Sequence, residues 1–545
     1  MKKSLKFIAI ASGLAAVACS SPEKMAEQAE NVIVTCDPAV LEVVAGEINA
    51  TVTVTYPEDY FNKKAILEVT PVIVYEGGEQ AMEPYMFQGT SVKDNYEVVP
   101  SEGATVSKPV HFTYVEGMEK CYLELRGVAK QGKKSATLPS KKAADGANTT
   151  YMLACKAGRV DFKADNYQEV IAMSEEGQIM YNINSSDVKN SELKGASVKN
   201  FLEAVEAVKA NERKAIKSTD IIAYASPDGG EELNTKLSDK RSNTAEKAFN
   251  KVTKKAPIDA PVNVKSVGQD WEGFQELVAA SQIEDKDLII RVLSMYSDPE
   301  VREKEIKNMS AVYTTLAKEV LPELRRARFI ANVEFTNYSS EELLKLVDEN
   351  SDVLDEEALL RAATLVEKSA DKIAIYKKAA EKYDSARAKY NIAVVYAKDG
   401  KDADAKKAIE ACDANDADVQ NVLGVLALRN NDLETASKYF AASNTEAAVE
   451  NAAVVDIWNG KYADAVAKTS GKEGPVAALA AILVKDYNAA LKAIKCDCPY
   501  GSYLKAIVAA RQGKAEDVKT YLDAAKKCDK LAKRAEKDVE FAQYK

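Results

Sequence analysis

Histidine is almost absent from this chain of 545 residues, which contains only His111. A catalytic triad or a zinc site built on histidine needs further partners, so this count excludes both kinds of site. His111 lies in the alternating stretch 110–115, which predicts an exposed position on a strand. No other nucleophile motif stands out. We therefore expect no enzyme activity, no catalytic residue, no metal ligand and no cofactor.

Cysteine is sparse, with eight residues in the whole chain. The seven that follow Cys19 cannot all pair, so a full disulfide framework is not expected. Pairing among Cys36, Cys121 and Cys155 stays open, since it depends on an oxidising compartment. Cys496-Asp497-Cys498 has neither the spacing of a redox motif nor that of a zinc site, which indicates a structural role.

Long apolar runs are also lacking. The apolar stretch at residues 7–18 has twelve residues, whereas a membrane-spanning helix needs roughly 20. It follows Lys2, Lys3 and Lys6, and a basic start before a short apolar run is typical of a secretory signal. The formal net charge of −10 disfavours nucleic acid as a partner. We therefore predict a signal peptide at residues 1–18 and an exported protein.

The end of this signal resembles the bacterial lipobox, through Ala16-Val17-Ala18 followed at once by Cys19. The resemblance implies that Cys19 is lipidated and anchors the chain in the outer membrane of a Gram-negative bacterium. The alternative is an ordinary cleaved signal with a chance cysteine. Residues 19–30 then form a polar tether. Residues 20–24 contain one acid, which favours the periplasmic face.

Residues 31–155 alternate between apolar and polar positions in short runs. Val52, Val54 and Tyr56 alternate with threonines, and turn residues separate this run from the next ones. This period of two predicts an antiparallel β-sandwich. Residues 131–148 are rich in Lys, Ala, Ser and Gly, and we expect a flexible loop there.

Residues 158–336 alternate strands with helices, which predicts an α/β sandwich. At its centre this region resembles the OmpA-like peptidoglycan-binding domain, in the version common in Bacteroidota. The matching positions are residues 221–229 (IIAYASPDG), Asn234, Leu237-Ser238 and Arg241.

This resemblance implies that the region recognises the diaminopimelate of the peptidoglycan stem peptide. In the family an aspartate accepts the ammonium group and an arginine binds the carboxylate, because its planar fork pairs with two oxygens. Arg241 stands at the arginine position and Ser226 at the aspartate position. Asp228, two residues later, could substitute for that aspartate. The resemblance therefore implies a binding site formed by Arg241, Asp228, Ser226 and Asn234.

Residues 340–545 are rich in alanine and helical in pattern. Turns at Gly400, Asn431, Gly460, Lys485 and Gly513 follow each other after 31, 29, 25 and 28 residues. The pattern resembles tetratricopeptide repeats, although the spacing is shorter and irregular. Such solenoids bind peptides or proteins, so we expect a protein partner there and independent folding of the repeats. Tyr390, Tyr396 and Tyr439 could line this surface, but aromatic positions in repeats are more often core.

Two functions fit this organisation. The first is a non-enzymatic outer-membrane scaffold that holds peptidoglycan through the OmpA-like region and docks a protein on the repeats. The alternative is an assembly or secretion accessory factor whose OmpA-like region no longer binds the wall, as Ser226 suggests. Carboxylate pairs do not favour a glycan-cleaving enzyme, because a chain with 84 acids contains many by chance.

Overall fold

The computed structural model describes residues 21–283 and 285–544. The chain divides into two compact units: unit 1 is Met1–Lys163 with Ser385–Lys545, and unit 2 is Ala164–Asp384. The predicted signal peptide and Cys19 lie outside the described residues. Among the helices described, none combines the length and the apolar character needed to cross a bilayer.

Unit 1 begins with helix α1 (Pro22–Glu27), which Ser21 caps by accepting a hydrogen bond from the Lys24 N–H. Met25 is fully buried on this helix and belongs to the apolar core of the unit. This part of the expected tether is therefore folded onto the protein. After it come strands β1 (Ile33–Asp37), β2 (Val40–Val44), β3 (Glu47–Tyr56), β4 (Ile66–Tyr75), β5 (Gly78–Ala81), β6 (Tyr85–Gln88), β7 (Glu97–Val98), β8 (Ala104–Thr113), β9 (Cys121–Gln131), β10 (Lys134–Thr137) and β11 (Lys141–Asn148).

In the described residues these strands form one sheet of 11 strands, in the order β1-β3-β2-β11-β9-β4-β6-β7. Strand β8 pairs with β3, β5 with β4, and β10 with β9. The sheet folds over so that Tyr56 of β3 meets Phe87 of β6 edge to face, with ring centroids 6.1 Å apart. The sandwich-like layering thus arises from a single curved sheet.

Two features of this sheet differ from the sequence prediction. The pairings of β2 with β11 and of β6 with β7 are parallel, so the region is not purely antiparallel. Residues 131–148, expected to be a loop, form β10 and β11 instead. Their composition is poor in β-formers, but hydrogen bonds to β9 and β2 supply the stability that propensity does not.

Unit 2 contains strands β12 (Val170–Met180), β13 (Lys214–Ala225), β14 (Val262–Gln269) and β15 (Arg326–Thr336). In its described part they form a sheet in the order β12-β15-β13-β14, with only β13 and β14 parallel. Its helices are α2 (Ala196–Lys209), α3 (Glu231–Val252), α4 (Trp271–Ala280), α5 (Lys286–Met295), α6 (Pro299–Asn308), α7 (Ser310–Glu319), α8 (Ser340–Glu349), α9 (Glu356–Leu365) and α10 (Ser369–Tyr383).

Helices α2 and α3 cover one face of this sheet. The rings of Phe201 (α2), Phe249 (α3) and Phe329 (β15) pack in tilted and edge-to-face geometry, at centroid distances of 5.3–6.3 Å. Each buried aromatic side chain removes a large apolar area from water, so this cluster holds α3 against the sheet. Helix α3 is the element that carries Asn234 and Arg241 towards the end of β13.

The remaining helices are α11 (Ala386–Lys398), α12 (Asp402–Ile409), α13 (Ala417–Arg429), α14 (Leu433–Ser443), α15 (Glu446–Trp458), α16 (Tyr462–Thr469), α17 (Pro475–Leu483), α18 (Tyr487–Ala493), α19 (Pro499–Arg511), α20 (Ala515–Ala525) and α21 (Asp529–Lys537). Consecutive helices pack as pairs, as expected for repeats. All five predicted turn positions have a left-handed backbone, with φ between 63° and 73°. Helices α8–α10 belong to unit 2, so the compact part of the repeats begins at Ser385.

The sheet of unit 1 and these repeats share one apolar core. Tyr151, just after β11, packs edge to face on Trp458 of α15, with centroids 5.1 Å apart. Near the chain end, Glu540 accepts hydrogen bonds from Asn148 and Thr150 at 2.8 Å. The expectation that the repeats fold by themselves is therefore revised: the shared core predicts that both parts fold together.

Candidate functional sites

The turn that follows β13 carries the predicted binding residues. Asn234, which is 4% exposed, points its side-chain amide into this turn and donates to the carbonyls of Ser226 and Gly229, at 3.0 and 2.7 Å. Asn234 thus braces the turn, and this contact uses its donors. Ser226 is also buried, and its hydroxyl donates to the Asp228 carboxylate at 2.5 Å.

Arg241 lies below this turn and is 1% exposed. Its guanidinium donates to the main-chain carbonyls of Ser185, Tyr224 and Asn182 at 2.9–3.1 Å. Burial lowers its pKa to about 10, with Arg325 lowering it further and Tyr181 and Asp228 opposing this. Arg241 therefore keeps its charge at neutral pH.

Asp228 already has a cationic partner, Arg325, at 3.1 Å. Both side chains are mostly shielded from water, at 15% and 17% exposure. The sequence did not predict Arg325 in this site. Arg325 directly precedes β15, and no sequence pattern indicates that this position lies beside the turn. Within residues 21–283 and 285–544, no carboxylate forms an ion pair with Arg241. The turn therefore has two cationic side chains, Arg241 and Arg325, and one acid, Asp228, which already pairs with Arg325.

A second polar site lies in unit 1, on the repeats. Asn391, Asn421 and Asn451 stand 30 residues apart on α11, α13 and α15, and each is at most 2% exposed. Their amides bind the main chain of residues 153–163, which we call the strap. Asn451 accepts from the Arg159 N–H at 2.7 Å and donates to its carbonyl at 2.8 Å.

The other two asparagines bind the strap in a similar way. Asn421 donates to the Arg159 carbonyl at 3.0 Å. Asn391 accepts from the Lys163 N–H at 2.8 Å and donates to its carbonyl at 2.9 Å. We did not predict this row of asparagines. Its sequence signal was the recurrence of asparagine every 30 residues, at helix positions where repeats usually place apolar side chains.

The three tyrosines of the repeats differ in burial. Tyr390 is 2% exposed and belongs to the core, although its hydroxyl also donates to the Asp161 carbonyl of the strap at 3.0 Å. Tyr396 and Tyr439 are half-buried. His111 is exposed on β8 and lies 2.9 Å from the side chain of Asn49.

Cys496 and Cys498 form a disulfide, whereas Cys36, Cys121 and Cys155 are free. Across the described stretches 21–283 and 285–544, no group of three or more His, Cys, Asp or Glu side chains could hold a metal ion. Chemically, the two sites are thus sites for polar recognition: one offers a buried cation, the other a row of amides.

Sequence comparison does not assign the chain to a known family. No protein-family model matches the chain, and no curated protein matches it. Solved structures that are similar in part include three with identities below 20%. A tetratricopeptide repeat protein from Parabacteroides merdae has 12% identity and a TM-score of 0.29, over 37% of this chain and 91% of that one.

The Cut9–Hcn1 hetero-tetramer of the APC/C has 13% identity and a TM-score of 0.30, over 56% of this chain and 77% of that one. YrrB, described as a tetratricopeptide repeat protein with an unusual peptide-binding site, has 19% identity and a TM-score of 0.22, over 36% of this chain and all of that one. Because the TM-scores are low, the helical-repeat architecture rests on the helix pairs and turns described above.

Proposed function

We propose that this chain is a non-enzymatic scaffold of the bacterial cell envelope. The observation that carries the proposal is the row of asparagines, which holds residues 159–163 by their main-chain atoms. A surface of this kind holds another chain and leaves it unchanged. Export and a lipid anchor at Cys19, on the periplasmic face of the outer membrane, belong to the same proposal.

Unit 2 would attach the scaffold to peptidoglycan, as an OmpA-like domain does. Support comes from Arg241, whose buried charge lacks an acidic partner in the described residues and would suit the carboxylate of a diaminopimelate stem peptide. The ammonium group of the ligand would find a weaker partner, because Ser226 is neutral and Asp228 is bound to Arg325. We therefore expect binding to be weak and to depend mainly on the carboxylate.

The alternative is an assembly or secretion accessory factor that does not bind the wall. The closed set of contacts among Ser226, Asp228 and Arg325 favours it, since these groups satisfy each other without a ligand. In that case Arg241 is a structural brace for residues 182–185, and unit 2 serves as a spacer or a docking module.

Sedimentation of the purified chain with peptidoglycan sacculi separates these two functions. Arg241→Lys keeps the charge but loses the planar fork, and we expect it to reduce the bound fraction about ten-fold or more. Lys240→Ala, on the exposed neighbouring position, is the matched control and should bind as the native chain does. If the native chain itself stays in the supernatant, the accessory-factor function replaces wall attachment.

Cys19→Ala tests the anchor independently. The native chain should sediment with membranes after a high-salt wash, because acyl chains hold it by apolar burial rather than by charge. The variant should be released as soluble protein. A variant that remains with the membranes would contradict lipidation at Cys19.

A further inference from the structure

The strap lies on the repeats in the manner of a bound peptide. Side chains of the repeats bind six of its main-chain carbonyls, and four of these, at residues 157, 159, 161 and 163, alternate along the chain. Residues 156–157 form a turn and Gly158 has a left-handed backbone, so only the carbonyls of residues 159, 161 and 163 follow the every-second-residue spacing of an extended backbone. The donors at the six carbonyls are Tyr500, Trp458, Arg429, Asn421 with Asn451, Tyr390 and Asn391, from residue 153 to residue 163.

The strap's basic side chains meet acids on the same surface. Lys163 lies 2.5 Å from Asp416 and 3.6 Å from Asp418. Arg159 lies 3.2 Å from Glu450. At the other end, Lys156 sits over the Trp458 ring, 3.5 Å from its centroid. The groove, defined here as the repeat side chains that contact the strap, therefore selects positive charge as well as an extended backbone.

One position of the strap is selected by size. Gly158 has a left-handed backbone (φ 68°), and a Cβ there would come within 2.7 Å of the Val425 side chain. The next apolar residue, Val160, is 3% exposed and lies in the shared core. The groove therefore fits a segment in which basic residues are separated by a glycine and by a buried aliphatic residue, as Gly158 and Val160 are placed in the strap.

We propose that the groove is a receptor for an extended basic segment of another protein, and that the strap occupies it as a built-in competitor. The proposal rests on the scaffold function and names the partner's chemistry. Most of the contacts bind main-chain atoms, so a foreign segment with the same charges and a glycine fits equally well. Because the strap is tethered, it competes at an effective concentration of roughly millimolar. A free segment therefore gains access only when the strap is weakened.

The test uses a fluorescein-labelled synthetic peptide with the sequence of residues 152–164 and measures its anisotropy with the full chain. The native chain should bind it weakly, since its groove is filled. A chain with Arg159→Glu and Lys163→Glu has a weakened strap, because both changes place acids beside Glu450 and Asp416. It should bind the peptide at least about ten-fold more tightly. Adding Asn451→Ala to this chain should remove the gain.

A second weakened variant, Gly158→Ala, leaves all charges in place. A peptide with the changes Arg159→Glu and Lys163→Glu is the control ligand and should bind neither variant. The proposal is overturned if a folded weakened variant fails to bind the native peptide, or if it binds the reversed peptide equally well. It is also overturned if both variants lose the fold of unit 1 by circular dichroism, since the strap would then be a permanent part of the core.

The sacculus assay keeps the two proposals apart. If peptide exchange fails while the native chain still sediments with sacculi, only the receptor proposal is wrong. If both fail, the scaffold function loses both of its binding surfaces. If exchange succeeds without sacculus binding, the chain is a protein-binding factor that does not attach to the wall.

Discussion

The turn of unit 2 and the groove of unit 1 are both rich in buried polar groups, but they satisfy them differently. In the turn, Asn234 and Arg241 bind carbonyls of their own unit, close to β13 and α3. In the groove, asparagines of three repeats bind a segment more than 200 residues away in sequence. Buried polar groups need partners in either case. Only in the groove could a segment of another chain take the place of the segment that the asparagines bind.

The largest effect should come from the packing that builds the groove. A Cβ at Gly424 of α13 would lie 2.5 Å from the Phe440 ring of α14, so Gly424→Leu forces the two helices apart. We expect a loss of roughly 1–3 kcal/mol or more in the free energy of unfolding, measured by chemical denaturation. Phe440→Ala in the same chain should restore part of this loss by making room. An unchanged stability of Gly424→Leu would contradict the helix pairing described here.

The strap should be the next most sensitive element. Gly158→Ala and Gly471→Ala both place a side chain at a left-handed position, with φ 68° and 72°. A Cβ at Gly471 meets nothing within 4 Å, whereas one at Gly158 meets Val425. Both variants should lose about 1 kcal/mol from backbone strain, and Gly158→Ala should lose more than Gly471→Ala because its Cβ also crowds Val425. Equal melting temperatures for the two variants would show that a Cβ at residue 158 does not clash with Val425.

The turn can be probed by introducing a second acid. Ser226→Asp places a second carboxylate beside Asp228, with Arg325 as the nearby cation. Like charges raise the pKa of one carboxyl in the folded state, so stability is lost at neutral pH and recovered as the pH falls through that raised pKa. Thermal unfolding at pH 7.5 and pH 5 measures this, with Ser226→Asn as the neutral control. Equal losses at both pH values would place the new carboxylate away from Asp228.

The smallest effect should be an acid sensitivity of the strap. Burial opposes ionisation of Asp416, but the hydrogen bond from Lys163 and N–H groups of α13 hold its pKa below the ordinary value. The stabilisation is therefore complete above that value, about 4, and is lost as the pH falls through the lowered pKa. Hydrogen exchange of the strap amides, corrected for intrinsic rates, should show loosening in that range. Asp416→Asn retains a helix cap and should abolish the pH dependence; a persistent dependence would assign it to another group.

Much of the local structure could be predicted from the sequence because it depends on local patterns. The alternation through Val52, Val54 and Tyr56 predicted β3, and the turns at Gly400 and Asn431 have the left-handed backbone that favours glycine and asparagine. The α/β alternation around Arg241 predicted the strand, turn and helix that bring this residue beneath the end of β13. Each of these inferences needs only neighbours within a few turns of the chain.

Tertiary structure decided the rest, since it pairs residues that are distant in sequence. Strands β10 and β11 form because β9 and β2 supply hydrogen bonds, not because their residues favour strands. Arg325 reaches Asp228 only when β15 enters the sheet, and Asn451 meets Arg159 only when the repeats stack beside the β-sheet. The sequence determined which side chains could bind a carboxylate or a main chain. The 30-residue recurrence of Asn391, Asn421 and Asn451 marks a row of amides, but long-range packing decided that this row binds the chain's own strap.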